Sequence, residues 1–287
     1  MKTISDLMRI PQWVKNLFIF VPAFFAEKAT DWQVEINLLL CFVAFSLMTS
    51  CVYIINDYLD IESDRQHPTK SKRPLAAGTV SKQQAIFICI FLFFSSITLA
   101  FFSKQNLLFI LFFYLIMNIL YSFKLKHIAL LDITIISIGF LLRIFAGGVV
   151  AAVPISKWLI LMVFLLAMLL ALAKRRDEFL ISQEGKDIRK AIKGYNLEFI
   201  NIAMVFMASI TVVSYIMYTV SEEVTSRIAN ENVYLTSFFV ILGILRYLQI
   251  TIVYQQSGSP TKVLFTDIFI QLVLVGWIMM FGFLLYF

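Results

Sequence analysis

The sequence predicts an all-α membrane protein, and three observations support that fold class. Of the 287 residues, 60% are hydrophobic, 29 are Phe and the mean hydropathy is +0.86, values outside the range of soluble domains. Apolar runs of about 17 to 25 residues, the length that crosses a bilayer, recur from end to end. Lys and Arg are concentrated between alternate runs. We therefore expect one integral-membrane domain over residues 1–287, with no separate soluble domain.

The apolar runs predict about nine transmembrane helices. They lie at residues 12–26, 34–58, 83–103, 106–123, 130–152, 157–180, 196–220, 233–254 and 265–286. The first run is short and carries Lys15 and Asn16, so a half-inserted helix is an alternative there. The opening residues are too polar for a signal peptide, and we expect Met1 to be the mature start.

The distribution of Lys and Arg predicts the orientation in the membrane. Eighteen of these residues fall on one side of the predicted spans, and only Lys28, Lys104, Lys157 and Arg227 fall on the other. The positive-inside rule then assigns the basic side to the cytoplasm. The predicted cytoplasmic segments are the N-terminus and residues 59–82, 124–129, 174–195 and 255–264. This basic face suits anionic lipid headgroups or phosphorylated substrates; we expect no nucleic-acid partner, and the oligomeric state stays open.

Three aspartates predict a magnesium site at the end of the second span. Asp57, Asp60 and Asp64 follow an i, i+3, i+7 pattern, which places them within about 60° on one helical face. Such carboxylates repel one another unless a cation neutralises them. Mg²⁺ is usually held by one or two carboxylates and by substrate phosphates. The alternative is an acidic helix end that is solvated in a loop.

A basic segment follows the aspartates directly. Residues 65–78 contain Arg65, His67, Lys70, Lys72 and Arg73. Acidic residues followed directly by basic residues predict a two-part site. In such a site, Mg²⁺ and the basic side chains bind different oxygens of one phosphorylated ligand. The alternative is an ordinary positive-inside loop.

A second polar cluster, "ALAKRRDEF" at residues 171–179, ends the sixth span. Lys174 and Glu178 are spaced i, i+4, with Asp177 on the same side and Arg176 facing away. More polar residues follow: Arg189, Lys190, Lys193 and Tyr195. A plain basic helix terminus is the alternative.

Two charges lie within or near the fifth span. Asp132 and Arg143 are three helical turns apart, about 16 Å, and cannot pair directly. We expect Asp132 to cap its helix and Arg143 to pair structurally elsewhere. Gly147 and Gly148 permit a close helix approach or a break.

The run Asn56-Asp57-x-x-Asp60-x-x-x-Asp64 resembles the first aspartate-rich motif of the UbiA superfamily of intramembrane prenyltransferases. The resemblance implies nine helices in a UbiA-like bundle, with a central cavity that faces the cytoplasm and binds Mg²⁺-diphosphate. Four segments are most similar to the branch that transfers phosphoribosyl to decaprenyl phosphate. They are "RIPQWVKN" (9–16), "DRQHPTKSKRPLAAG" (64–78), "YSFKLK" (121–126) and "KRRDE" (174–178).

This resemblance implies transfer of 5-phosphoribosyl from phosphoribosyl diphosphate to a polyprenyl phosphate, in the service of cell-envelope biosynthesis. Asp57, Asp60 and Asp64 are then the catalytic and metal-binding residues, with Mg²⁺ as cofactor. Aromatic-prenylating relatives carry a second aspartate-rich motif where this chain has Lys174-Arg175-Arg176, and a basic site fits the extra 5-phosphate. The family pattern differs at Arg176 and Asp177, so their role stays open.

The implied substrate-binding residues fall into three groups. Lys174, Arg175, Arg189 and Lys190 are assigned to the 5-phosphate, and Lys15, Lys70, Arg73 and Lys126 to the diphosphate and the lipid phosphate together. Asn56, Tyr121, Glu178 and Tyr195 complete the set.

Two other functions stay open. One is an aromatic prenyltransferase that uses a polyprenyl diphosphate. The other is a transporter that uses Asp132 and Arg143 as an ion path, although no inverted repeat is evident.

Overall fold

A computed structural model describes residues 2–28, 30–66, 69–183, 194–228, 230–255 and 260–286, and every regular element in these ranges is helical. The α-helices are α1 (Lys2–Met8), α2 (Val21–Phe25), α3 (Trp32–Leu59), α4 (Ile61–Gln66), α5 (Lys82–Ser103), α6 (Leu107–Phe123), α7 (Leu131–Ala151), α8 (Lys157–Gln183), α9 (Leu197–Thr219), α10 (Glu222–Ile228), α11 (Ser237–Ile252), α12 (Pro260–Thr266) and α13 (Ile268–Tyr286). The 3₁₀ helices are Ile10–Phe20, Lys70–Lys72, Leu125–His127 and Glu231–Thr236.

The all-α membrane class predicted from the sequence is confirmed. Each predicted apolar run is helical, and within the described ranges seven helices are long and apolar enough to cross a membrane. Two further apolar segments, Ile10–Phe25 and Leu107–Phe123, are shorter. The total of about nine crossings stays a prediction.

The starts of the long helices follow from local sequence. The Asp31 carboxylate accepts hydrogen bonds from the Gln33 and Val34 backbone N–H groups at the start of α3. Ser81 and Gln84 form a reciprocal capping box at the start of α5. Such side chains satisfy backbone donors that the first helical turn leaves without partners.

The chain forms two compact units, one of residues 1–135 with 139–155 and one of residues 136–138 with 156–287. In the first unit, α3 packs along α5 and also contacts α6 and the 3₁₀ segment Ile10–Phe20. In the second unit, α8 packs along α9, and α11 contacts α9 and α13. A single domain over 1–287 stays a prediction.

Gly147 brings α7 against the first apolar segment. A Cβ atom added at Gly147 would lie 1.9 Å from the Ile19 carbonyl oxygen, closer than any real contact. The predicted close approach at this glycine is therefore confirmed, because only a residue without a side chain fits there.

Candidate active site

The three aspartates lie across a helix break. Asp57 is in the last turn of α3, Asp60 follows the last α3 residue and Asp64 is in α4. The helix that their spacing implied is interrupted at Asp60, which adopts φ −98° and ψ 8° and ends the regular α3. Backbone hydrogen bonds from Asp60 N to Asn56 O (3.0 Å) and from Asp64 N to Asp60 O (2.8 Å) still keep a helical rise through the break.

Asp57 and Asp64 converge on one guanidinium nitrogen. Arg73 Nη1 donates to Asp57 Oδ1 at 3.1 Å and to Asp64 Oδ2 at 2.6 Å. The Asp57 and Asp64 side chains are only 2% and 5% exposed. Buried carboxylates remain ionised only where a positive partner replaces water, and Arg73 supplies that charge to both.

Arg9 is a second partner of Asp57. Its Nη2 atom donates to Asp57 Oδ1, and its guanidinium lies 4.6 Å from the centre of the Tyr53 ring. Arg9 has a left-handed backbone, φ 53°, which costs about 1 to 2 kcal/mol for a residue with a side chain. The ion pair and the ring contact hold it in that conformation.

Asp60 belongs to a separate cluster. Lys126 Nζ donates to Asp60 Oδ1 at 2.6 Å, and Asn56 Nδ2 donates to Asp60 Oδ2 at 3.2 Å. Ser122 Oγ in turn donates to Asn56 Oδ1 at 3.2 Å. Lys126 is nearly buried, with 6% of its side chain exposed, so its charge is directed at Asp60 rather than at bulk water.

The other predicted residues of the first unit have different placements. Lys15 lies in the 3₁₀ segment Ile10–Phe20, Lys70 begins the 3₁₀ turn Lys70–Lys72, and Tyr121 is half-buried in the last turns of α6. The structure brings Asn56, Arg73 and Lys126 directly onto the aspartates.

The second predicted cluster lies at the end of α8. Arg175 is 1% exposed and forms an ion pair with Glu178, whereas the spacing had placed Glu178 beside Lys174. Lys174 is exposed and Tyr195 is buried. Arg189 and Lys190 lie outside the described residues.

Arg176, whose role the sequence left open, joins three helices of the second unit. Its Nε atom donates to Asn201 Oδ1 at 2.9 Å, and its Nη1 and Nη2 atoms donate to the carbonyl oxygens of Thr251 (2.7 Å) and Ile252 (3.5 Å). These carbonyls end α11, where helix acceptors lack partners of their own. Arg176 therefore has a structural role.

The two charges of the fifth predicted span are both buried. Asp132 lies in the first turn of α7 with no exposed surface. Arg143 donates to Asn16 Oδ1 at 2.7 Å and to the Gly139 carbonyl oxygen at 2.6 Å. Arg143 thus pairs with neutral acceptors.

The sequence matches the model of the UbiA prenyltransferase family over residues 16–269. The chain belongs to the UbiA prenyltransferase family. It is 31% identical to decaprenyl-phosphate phosphoribosyltransferase of Mycolicibacterium smegmatis, over 98% of this chain and 91% of that protein. The protein of the same name from Corynebacterium glutamicum is 30% identical, over 94% of this chain and 83% of the relative.

Solved structures share the fold of this UbiA family member. A UbiA homolog from Archaeoglobus fulgidus bound to GPP and Mg²⁺ has a TM-score of 0.73 at 19% identity and covers 98% of both chains. A UbiA homolog from Aeropyrum pernix has a TM-score of 0.70 at 14% identity and likewise covers 98% of both chains. At these identities the likeness establishes the UbiA fold, and it agrees with the family match.

The residues at the α3–α4 break have the donor chemistry that Mg²⁺ requires. Asp57 and Asp64 already direct oxygens at one cationic atom, Arg73 Nη1, and hard oxygen ligands of this kind suit Mg²⁺. Among the described residues, no three Asp, Glu, His or Cys side chains lie close enough to hold a metal together. Asp60 forms its ion pair with Lys126 and therefore lies apart from Asp57 and Asp64.

Sequence reasoning missed Arg9 as a partner of Asp57. Arg9 stands 48 residues from Asp57, so no helical spacing connects the two. The one feature of the sequence that could have pointed to Arg9 was its position in the segment "RIPQWVKN", directly before an apolar run. Ser122 carried no signal, because a serine in an apolar helix is common.

Proposed function

We propose that this UbiA family member transfers a 5-phosphoribosyl group from phosphoribosyl diphosphate to a polyprenyl phosphate and releases diphosphate. One observation carries the proposal: buried aspartates and basic side chains meet at the α3–α4 break in a chain whose relatives over most of its length are named phosphoribosyltransferases. An acidic and basic site of this kind suits a diphosphate ligand.

We assign Mg²⁺ to Asp57 and Asp64, whose carboxylates already converge, and to Asp60, which would join them on leaving Lys126. The Archaeoglobus fulgidus homolog was solved with GPP and Mg²⁺, which supports a divalent metal for this fold. When bound, Mg²⁺ neutralises negative charge on the leaving diphosphate.

The chain's own cations act on the same diphosphate. As the ribosyl C1–O bond breaks, its electron pair passes to the diphosphate, and an oxygen of the lipid phosphate forms the new bond to C1 from the opposite face. Arg9, Arg73 and Lys126 lie against the aspartates, where their charges stabilise a developing anion more than the neutral ester oxygen. The lipid phosphate is already anionic, so the reaction requires no strong general base.

We assign the 5-phosphate to the basic residues Lys174, Arg175, Arg189 and Lys190. A basic second motif suits a donor that carries phosphate at both ends, whereas a second aspartate motif suits a prenyl diphosphate. Lys174 is the exposed member at the end of α8. Lys174→Ala should therefore raise the KM for phosphoribosyl diphosphate, and an unchanged KM would remove Lys174 from this role.

We place the active site on the cytoplasmic side of the cell membrane. The support is the distribution of Lys and Arg, eighteen of which fall on the side that contains the α3–α4 break. Phosphoribosyl diphosphate is a soluble metabolite with several negative charges, and it would reach the site from that side without crossing the bilayer.

The direct test uses the purified protein with radiolabelled phosphoribosyl diphosphate, a polyprenyl phosphate and Mg²⁺. We expect a labelled lipid, and we expect Asp57→Asn and Asp60→Asn each to lower the rate on the order of 100-fold, the effect of removing one electrostatic contact to a transition state. Glu62→Gln is the matched control, because Glu62 is an exposed acid only two positions after Asp60. Full activity in both aspartate variants would sink the assignment.

A parallel reaction separates the two enzyme classes. It supplies an isoprenoid diphosphate with hydroxybenzoate instead of phosphoribosyl diphosphate with the lipid phosphate. Product from this pair alone would replace our proposal with an aromatic prenyltransferase. A requirement for Mg²⁺ does not distinguish the two enzyme classes, since both reactions use a diphosphate donor.

A further inference from the structure

A buried cation lies inside α7, away from the aspartates. Arg143 is 5% exposed, and the side-chain acceptors that the structure gives it are Asn16 Oδ1 at 2.7 Å and the Tyr114 hydroxyl at 3.4 Å. Its own helix supplies the Gly139 carbonyl oxygen at 2.6 Å. All three acceptors are neutral, so they satisfy N–H groups without balancing the charge.

Aromatic rings surround the same guanidinium. The ring centres of Phe45, Tyr114 and Phe140 lie 5.0, 5.3 and 5.4 Å from Arg143 Cζ. Each cation–π contact stabilises a desolvated cation by about 2 kcal/mol, and these contacts and the hydrogen bonds together offset the several kcal/mol that burial costs. None of the partners carries a negative charge, so the site favours an anion beside Arg143.

Lys15 adds a second positive charge to this region. It precedes Asn16, the residue that accepts from Arg143, and it is partly accessible. In the part of the chain that the structure describes, no hydrogen bond or ion pair involves the Lys15 ammonium group. Arg143 and Arg9 repel its charge, and the Tyr114 side chain favours it. Two neighbouring cations in an apolar segment repel each other unless an anion lies between them.

The cluster lies deeper along α3 than the aspartates. Asn16 Nδ2 donates to Ser46 Oγ at 2.8 Å, and Ser46 stands eleven positions before Asp57 on the same helix, about 16 Å by the helical rise. Along this stretch of α3, Arg9 contacts Asp57 near the C-terminal end, and Arg143 contacts Asn16 near Ser46. Lys15 interacts electrostatically with both arginines. Lys15 is therefore within electrostatic range of both Arg9, which contacts Asp57, and the buried Arg143.

We propose that Lys15 and Arg143 form the binding subsite for the phosphate of the polyprenyl phosphate acceptor. This inference rests on the proposed function, in which the acceptor attacks C1 on the face opposite the diphosphate. With the donor diphosphate at Asp57, we place that face toward Lys15. A phosphate on a hydrocarbon tail suits this depth because its tail lies among apolar helices, whereas inorganic phosphate shares only the charge. The Lys15 ammonium group contacts the phosphate, and the buried Arg143 adds positive charge without touching it.

The test measures binding of farnesyl phosphate, a short polyprenyl phosphate, to the purified protein by titration calorimetry. Lys15→Met should raise the Kd at least about tenfold, the loss of one charge-assisted hydrogen bond, while Lys15→Arg should stay within about threefold. Lys104→Met is the matched control, because Lys104 is exposed and precedes α6, and its Kd should equal that of the wild type. Farnesol, which has no charge, should bind all four proteins alike.

Three outcomes would overturn the subsite. They are an unchanged Kd for farnesyl phosphate in Lys15→Met, binding of inorganic phosphate to the wild type as tight as that of farnesyl phosphate, and a loss in Lys15→Met that is confined to phosphoribosyl diphosphate with Mg²⁺. The variant Arg143→Gln provides a second test. We expect it to raise the KM for the polyprenyl phosphate and to leave the KM for phosphoribosyl diphosphate unchanged.

The same measurements separate this inference from the proposed function. Phosphoribosyl transfer by the wild type, with an unchanged lipid KM in Lys15→Met, refutes the subsite and leaves the reaction in place. Farnesyl phosphate binding that depends on Lys15, without any phosphoribosyl transfer, refutes the reaction and leaves a lipid phosphate site.

Discussion

Asp57 has two guanidinium partners, Arg9 and Arg73, and only 2% of its side chain is exposed. A single arginine nitrogen joins it to Asp64. Arg73 and a divalent cation would therefore compete for the same two carboxylates. The sequence pattern indicated that a cation must neutralise the aspartates, and the structure shows that the chain supplies cations for this purpose itself.

Replacement of Arg73 tests this competition. Without its positive charge, Asp57 and Asp64 face each other in a buried setting, so Arg73→Gln should bind Mn²⁺ about tenfold more tightly in the absence of substrate. Electron paramagnetic resonance of free Mn²⁺ measures this affinity directly. Arg65→Gln is the control, because Arg65 pairs with exposed Glu62. Weaker Mn²⁺ binding in Arg73→Gln than in the control would contradict the competition.

Residue chemistry was more predictable than residue partners. The i, i+3, i+7 spacing located the aspartates, and the basic run located Arg73, because spacing within one segment is visible in a sequence. Contacts such as Arg9 with Asp57 or Lys126 with Asp60 join residues 48 and 66 positions apart. Only the packing of separate helices creates them, and a single sequence does not record that packing.

At the scale of helices, α7 and the Ile10–Phe20 segment meet through Gly147. Gly147→Ala should lower the free energy of unfolding by roughly 1 to 3 kcal/mol, the usual cost of overpacking, because the new methyl group would collide with the Ile19 carbonyl oxygen. Thermal unfolding in detergent measures the difference.

Gly282→Ala in α13 is the matched control for that change. A Cβ atom at Gly282 meets no atom within 4 Å, and Ala favours a helix over Gly by up to about 1 kcal/mol. We therefore expect equal or higher stability in this control. A larger loss in Gly282→Ala than in Gly147→Ala would contradict the packing argument.

In the second unit, Arg176 holds helices together, as the packing at Gly147 does in the first unit. Arg176→Met should lower the free energy of unfolding by roughly 2 kcal/mol, because it leaves Asn201 and the final carbonyls of α11 without their donor. The KM for phosphoribosyl diphosphate should stay near the wild-type value in the folded fraction. A large rise in that KM without a stability loss would instead make Arg176 a substrate ligand.

The extents of the helices followed closely from the sequence, and the short elements did not. The predicted run 106–123 appears as Leu107–Phe123, and 157–180 appears as Lys157–Gln183, since long apolar runs define their own limits. The break at Asp60 was invisible because Asp60 continues the helical spacing. The 3₁₀ conformation of Ile10–Phe20 was equally hidden, because its composition is that of any apolar helix.

At the scale of the whole molecule, the distribution of Lys and Arg predicts which side faces the cytoplasm. Single cysteines introduced at Lys72 and Lys104 in a background without the three native cysteines test it. A membrane-impermeant thiol reagent added to intact cells should label position 104 and spare position 72. The reverse pattern would invert the proposed orientation and place the active site outside.

The ion pairs at the α3–α4 break also bear on how the protein is made. Three buried or half-buried aspartates would normally oppose insertion into a bilayer, but Arg9, Arg73 and Lys126 already balance them. We expect EDTA to change the melting temperature of the purified protein by less than about 2 °C, since a metal stabilises only a fold that depends on its binding. A collapse in EDTA would show that metal completes the fold. With its counter-ions built into the chain, we expect the protein to complete its fold in the membrane before any metal or substrate binds.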